Sequence, residues 1–217
     1  MKLVIWDFDG TLADTRPIIE AGMDHALRLM GLPGTVREEW LKCVGLPLEE
    51  GITRTFGPMG RSVEEVLPIY RSYDYTANEH LIRGFEGMGA ILEELHGRGV
   101  RQAIASSKRT LPLVRQVAAL GWTRFFEAVV TPDDVARAKP DPESILLILD
   151  RLGVPPGDAV MVGDTPFDLD MATGAGVRSV AVGHGFYGEA DLAASGPMAY
   201  ASDAAALRDI LLAWSEA

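Results

Sequence analysis

A single cysteine, Cys43, occurs in 217 residues. That excludes an intramolecular disulfide and any zinc site built from several thiolates, and it suits a reducing compartment. Lysine is scarce too, four against sixteen arginines, and cations are outnumbered: 20 Lys and Arg face 31 Asp and Glu, a formal net charge of -11. Such a balance offers no footprint for nucleic acid or an anionic membrane, so neither is expected as a partner. Long apolar runs are missing as well. Leu3-Val4-Ile5-Trp6 is closed by Asp7 and is too short for the apolar region of a signal peptide. No stretch approaches the ~20 apolar residues that span a bilayer. The expected location is cytoplasmic. Against these absences, 47% hydrophobic and 24% charged residues suffice for a buried core and exclude disorder.

Five short runs rich in Val, Ile and Ala are expected strands: Leu3–Phe8, Arg101–Ser106, Ala128–Thr131, Ala159–Val162 and Ser179–Val182. Each is continuous rather than alternating, the pattern of parallel strands covered on both faces. Helical patterns lie between them at Ala90–His96, Leu111–Leu120 and Pro142–Leu152, the last with Asp141 as N-cap and Pro142 at the first helical position. Ala204–Trp214 is expected to close the chain as an amphipathic helix. This alternation predicts a doubly wound, Rossmann-like α/β core with right-handed crossovers. Residues 15–82 break the rhythm, with helical patterns at Ile18–Met30, Glu38–Cys43, Glu49–Phe56 and Val63–Glu79 and no strand. They are too many for one crossover. The expected division is an α/β core of residues 1–14 and 83–217 and a helical insert of 15–82, hinged near Asp14–Arg16 and Arg83–Gly87.

Polar residues gather where these strands end, the edge at which such folds bind ligands. The first strand runs into Asp7-Phe8-Asp9-Gly10-Thr11, and alternation puts Asp7 and Asp9 on one side. The second ends at Ser106-Ser107-Lys108, and the fourth at Gly163-Asp164-Thr165-Pro166-Phe167-Asp168. Lys139 precedes Pro140-Asp141-Pro142 after the third. Four carboxylates in one cleft repel, by roughly 4 kcal/mol for a pair ~4 Å apart at an effective dielectric near 20. They persist if some protonate or a cation offsets them. A donor set of oxygens without His or Cys selects a hard ion, and Mg²⁺ is the expected cofactor. His25, His80, His96 and His184 have no metal-like spacing and are expected to pack.

Asp7-Phe8-Asp9-Gly10-Thr11-Leu12 resembles the first motif of the haloacid dehalogenase superfamily, Ser106 the second, Lys139-Pro140-Asp141-Pro142 the third, and Gly163-Asp164 with Asp168 the fourth. All four occur in order, and the helical insert is similar to the superfamily's C1 cap. The resemblance implies that Asp7 is a carboxylate nucleophile forming an aspartyl-phosphate. It implies that Asp9 acts as general acid and then base, and that Mg²⁺ rests on the Asp7 carboxylate, the Asp9 backbone carbonyl and Asp164. Asp168 would hold metal-bound water or orient its neighbours, Ser106 would donate to a phosphoryl oxygen, and Lys139 would offset charge. Ser107 and Lys108 follow as secondary candidates, since a polar residue and then Lys recur there in related phosphatases. Arg16 departs from the pattern; it either contacts a substrate carboxylate or lies solvated at the hinge.

The implied activity is hydrolysis of a small phosphorylated metabolite. Haloacid dehalogenases lack an aspartate two residues after the nucleophile, whereas Asp9 is present. Sugar-phosphate mutases of the β-phosphoglucomutase type share both aspartates and remain the alternative, but they carry a basic residue in the region of Val44-Gly45-Leu46-Pro47-Leu48. That segment instead resembles the specificity loop of phosphoglycolate-phosphatase-like proteins. A phosphonatase needs a lysine in the cap, which leaves Lys42 as its one candidate. A receiver domain or a catalytically silent binding protein is disfavoured by the helical insert and by the intact set of four motifs.

Overall fold

The computed structural model describes residues 1–217. Its main sheet has six parallel strands: β1 (Leu3–Trp6), β4 (Arg101–Ala105), β5 (Ala128–Val130), β6 (Ala159–Gly163), β7 (Arg178–Val182) and β8 (Ala199–Ala201). Their order is β5-β4-β1-β6-β7-β8. After β1 the chain builds outward through β4 and β5, then returns to the other side of β1 for β6, β7 and β8. The carboxyl end of β1 is therefore the switch point at which doubly wound sheets bind ligands.

Alternation along β1 shows why both faces are covered. Val4 and Trp6 enter one apolar layer with α5 (Met88–Gly97), α6 (Thr110–Ala119) and α10 (Ala204–Glu216). Leu3 and Ile5 enter the opposite layer with α7 (Glu143–Leu152) and α8 (Pro166–Gly174). A small third cluster joins α8 to α9 (Glu189–Ala193) through Leu169 and Leu192. The five expected strands are present. The sixth, β8, was not expected, because three residues after Ser195-Gly196-Pro197 give too short a pattern to register.

Between Asp14 and Arg83 stand four α-helices, α1 (Arg16–Met30), α2 (Val36–Leu41), α3 (Leu48–Phe56) and α4 (Val63–Arg71). They share an apolar cluster of their own that includes Met23, Trp40, Phe56 and Tyr70. The expected helix Val63–Glu79 stops early, at Arg71. The Ser72 hydroxyl turns back to Ile69 O at 2.6 Å, and Asp74 accepts from Ala77 N at 3.0 Å, which starts a separate turn. Where the insert leaves and rejoins the sheet, β2 (Ala13–Asp14) and β3 (Arg83–Gly84) pair antiparallel as a short two-stranded ribbon.

Candidate active site

Asp7, Ser106 and Asp164 reach the site from the ends of β1, β4 and β6, Lys139 from the loop after β5, and Asp168 from the first turn of α8. Asp7 extends β1 by donating its N–H to Val162 O at 2.9 Å, which fixes it at the carboxyl end of the strand that lies between β4 and β6. The chain then turns, with Leu12 and Ala13 N–H both on Phe8 O. Gly10 takes φ +84° there, and a Cβ at this position would overlap the Asp164 carboxyl and sit 2.6 Å from the Phe186 ring. Glycine thus lets the turn after β1 lie against the end of β6. Asp164 is fixed on both oxygens, by the Thr11 hydroxyl and the Phe186 N–H, each at 2.8 Å.

Lys139 holds the centre. Its Nζ donates to Asp7 Oδ1 at 2.5 Å and to Asp168 Oδ1 at 2.6 Å. Asp7 Oδ2 is left without a protein partner. The other oxygen of Asp168 accepts from the Thr165 hydroxyl at 2.7 Å and the Thr165 N–H at 3.1 Å, closing a capping box at the start of α8. Asp168 is thereby both helix cap and lysine anchor. Asp7, Asp164 and Asp168 are all buried, with one oxygen of each inside a 4.8 Å span.

The charges in this group do not balance. Three buried carboxylates face one buried ammonium, an excess of two negative charges when all are ionised. Burial pushes the Asp7 carboxyl up to about 7, with Lys139 opposing the rise and Asp168 and Asp9 adding to it. Asp164 is also raised, by burial and then by Asp7 and Asp168. Burial alone would lower Lys139, but Asp168 and Asp7 hold its ammonium above the ordinary range. The deficit equals one divalent cation, and the donors are all hard oxygens, so the residues present fit Mg²⁺.

Asp9 stands apart from that group. Its Oδ1 accepts from Lys108 Nζ at 2.5 Å, and the same ammonium donates to Gln116 Oε1 at 2.8 Å and lies 5.2 Å above the Phe8 ring. Ser106, buried at the end of β4, accepts the Lys108 N–H at 3.2 Å.

This arrangement agrees with a comparison over most of the chain: the haloacid dehalogenase-like hydrolase family model matches residues 4–182. The protein belongs to this family. Pyrophosphatase PpaX of Bacillus velezensis is 33% identical over 195 residues, covering 89% of this chain and 88% of that one. Pyrophosphatase PpaX of Halalkalibacterium halodurans is 30% identical over 190 residues, covering 87% and 86%. Among solved structures, a predicted phosphoglycolate phosphatase from Haemophilus somnus superposes with a TM-score of 0.87 at 22% identity, covering 97% of this chain and 98% of that one. No helix of this family member is long and apolar enough to cross a membrane.

A cleft of about 550 Å³ opens above Asp7, Asp9 and Ser106, and the helical insert forms its far wall. Ser107 lines the cleft, but its hydroxyl donates to Gly45 O of the insert at 2.6 Å, joining the two walls. Arg16 is not among the lining residues. Its guanidinium donates to Gly185 O at 3.3 Å and stacks 4.5 Å from Phe186, so the expected contact with a substrate carboxylate has no geometric support. Lys42 also lies outside the cleft, 65% exposed and paired with Glu39 at 2.7 Å. A Schiff-base lysine is desolvated and lowered in pKa. Hydrogen bonding and charge from Glu39 raise Lys42 instead. Lys108 is only a secondary candidate in the sequence, and nothing there marks Gln116, which anchors it from eight residues away.

Proposed function

We propose that this haloacid dehalogenase-like hydrolase is a Mg²⁺-dependent phosphatase that hydrolyses a small phosphomonoester through an aspartyl-phosphate on Asp7. The observation that carries the reading is the buried pairing of Asp7 with Lys139, which orients one carboxylate oxygen and leaves the other without a protein partner beside the cleft. Asp7 Oδ2 is the atom placed to attack phosphorus, splitting hydrolysis into formation and breakdown of an acyl phosphate. Asp9 protonates the leaving oxygen in the first step and takes a proton from water in the second. Lys108 and Gln116 fix its direction. Ser106 donates to a phosphoryl oxygen, and Lys139 offsets charge on the nucleophile and on the phosphoryl group.

Mg²⁺ would rest on the Asp7 carboxylate, the Asp9 carbonyl and Asp164, with Asp168 orienting Lys139. It would supply charge neutralisation for the phosphoryl oxygens. The four insert helices serve as a cap that excludes bulk water, and the Ser107–Gly45 hydrogen bond is one of its closing contacts. A second reading, pyrophosphate hydrolysis, is favoured by the names of the PpaX relatives.

The test is phosphate release from p-nitrophenyl phosphate with Mg²⁺ and with EDTA, run beside pyrophosphate and phosphoglycolate. Glucose 1-phosphate is followed for isomerisation as well as release. Turnover requires Mg²⁺. Asp7→Asn lowers kcat by at least about 10³-fold while the circular dichroism spectrum is retained. Retained turnover in that variant rules out the covalent route.

A further inference from the structure

The cleft is larger and less accommodating of charge than pyrophosphate or a two-carbon phosphate requires. Its volume of about 550 Å³ falls among the roughly 300–1,000 Å³ clefts that bury drug-sized ligands. Away from Asp7 the wall is apolar and aromatic, with Ile19, Trp40, Leu48 and Tyr70 from the insert and Leu111 at the start of α6. Trp40 and Tyr70 pack against each other with ring centres 5.4 Å apart.

Four cations line the cleft. Lys108 is held by Asp9 at 2.5 Å and Gln116 at 2.8 Å, and the three arginines each have a carboxylate: Arg109 meets Asp133 at 2.8 Å, Arg115 meets Glu79 at 2.6 Å and Arg71 meets Glu49 at 3.1 Å. The arginine pairs are exposed and screened, so a leaving group bearing a carboxylate or a second phosphoryl would gain little by competing for them and would otherwise leave its charge against the apolar wall. A neutral apolar body avoids that cost and displaces water from surface that gains by losing it.

Resting on the phosphatase reading above, we infer that the leaving group of this enzyme is neutral and largely hydrophobic: the substrate is the phosphate monoester of an alcohol with an aliphatic or aromatic body of several carbons. Ile19, Trp40, Leu48, Tyr70 and Leu111 set that preference. Asp7 attacks phosphorus, the P–O bond to the alcohol breaks, and the proton on Asp9 passes to the departing oxygen; water then releases inorganic phosphate.

The test compares kcat/KM for hexyl phosphate, ethyl phosphate, phosphoglycolate and pyrophosphate on the full chain with Mg²⁺. The first three release primary alkoxides, so their intrinsic reactivities are close. A methylene moved from water to apolar surface is worth about fourfold, and hexyl phosphate is expected at least tenfold ahead of both ethyl phosphate and phosphoglycolate. Tyr70→Ala and Leu111→Ser each lower the hexyl-to-ethyl ratio. Leu111 is 78% exposed, so its replacement leaves folding intact if Tyr70→Ala does not. Faster cleavage of pyrophosphate or phosphoglycolate overturns the inference and leaves phosphoryl hydrolysis standing. A hexyl-to-ethyl ratio near one also overturns it. No release from any of these esters or from p-nitrophenyl phosphate overturns both.

Discussion

The two walls of the cleft use ion pairs in opposite ways. At the sheet edge, Asp7, Lys139 and Asp168 are locked together at 2.5 and 2.6 Å with side chains at most 4% exposed. On the insert side, Arg71–Glu49 and Arg115–Glu79 span similar distances, but most of these side chains are more than 40% exposed. Solvent screens the second kind, and either partner can be lost at little cost. Desolvation makes the first kind interdependent, because removing one partner strands the others in a low dielectric. The same interaction type therefore sets chemistry on one wall and trims polarity on the other. Four substitutions or conditions probe that contrast.

Lys139→Met should have the largest effect. It removes the one buried cation among three buried carboxylates and is expected to destabilise the Mg²⁺-free protein by about 3–5 kcal/mol at pH 8, read by urea denaturation. Its kcat should fall by at least about 100-fold. A loss no greater than that of Arg71→Met would erase the distinction between the walls.

Next comes the response to Mg²⁺ and pH. The Asp7 carboxyl rises from its ordinary 3.8 to about 7 in the folded chain. The native state thus holds a proton that the unfolded state has released, and stability from this group is lost as pH climbs from about 4 to 7. A divalent ion binding the ionised form reverses that loss. The gain in Tm on adding Mg²⁺ should accordingly be small near pH 4.5 and grow toward pH 7.5, measured by thermal denaturation with and without EDTA. A gain independent of pH would place the ion away from Asp7 and Asp164.

Ser107→Ala probes the seam between the walls. Losing its hydrogen bond to Gly45 O removes about 1 kcal/mol from the closed arrangement. KM should rise about two- to fivefold, with a smaller change in kcat. Equal effects on both constants would instead put the hydroxyl on the reacting phosphoryl group.

How much of this was legible in the sequence follows the same division. Asp7, Asp9 and Asp164 stand in short motifs at the ends of continuous apolar runs, so strand geometry carries them to one rim, whereas Lys139 arrives on the loop after β5 and Asp168 in the first turn of α8. The Lys108 partnership was hidden because it needs Phe8 below and Gln116 two helical turns away. Arg16 is only nine residues from Asp7, yet the turn after β1 aims its guanidinium at Gly185 and Phe186, which chain proximity does not show. The apolar wall was invisible for a different reason. Ile19, Trp40, Leu48 and Tyr70 look in sequence like the buried stripes of amphipathic helices, and Trp40 and Tyr70 do belong to the core of the insert. Only the docking of those helices over the sheet edge exposes part of that stripe to a substrate.

The smallest expected effect is that of Lys42→Ala. A phosphonatase mechanism requires this amine to be unprotonated and within reach of a carbonyl in the cleft. Instead its ammonium pairs with Glu39 on the outer face of the insert, and its backbone carbonyl accepts the Tyr187 hydroxyl. Removing the side chain keeps that backbone contact between the walls and touches nothing near Asp7. Phosphatase kcat and KM should both stay within twofold of the unmodified protein, and no imine should be trapped when borohydride is added with phosphonoacetaldehyde. Trapping that depends on Lys42 would mean that the insert opens far enough to bring its outer face over the sheet edge, and the apolar wall would then not be the surface a substrate meets.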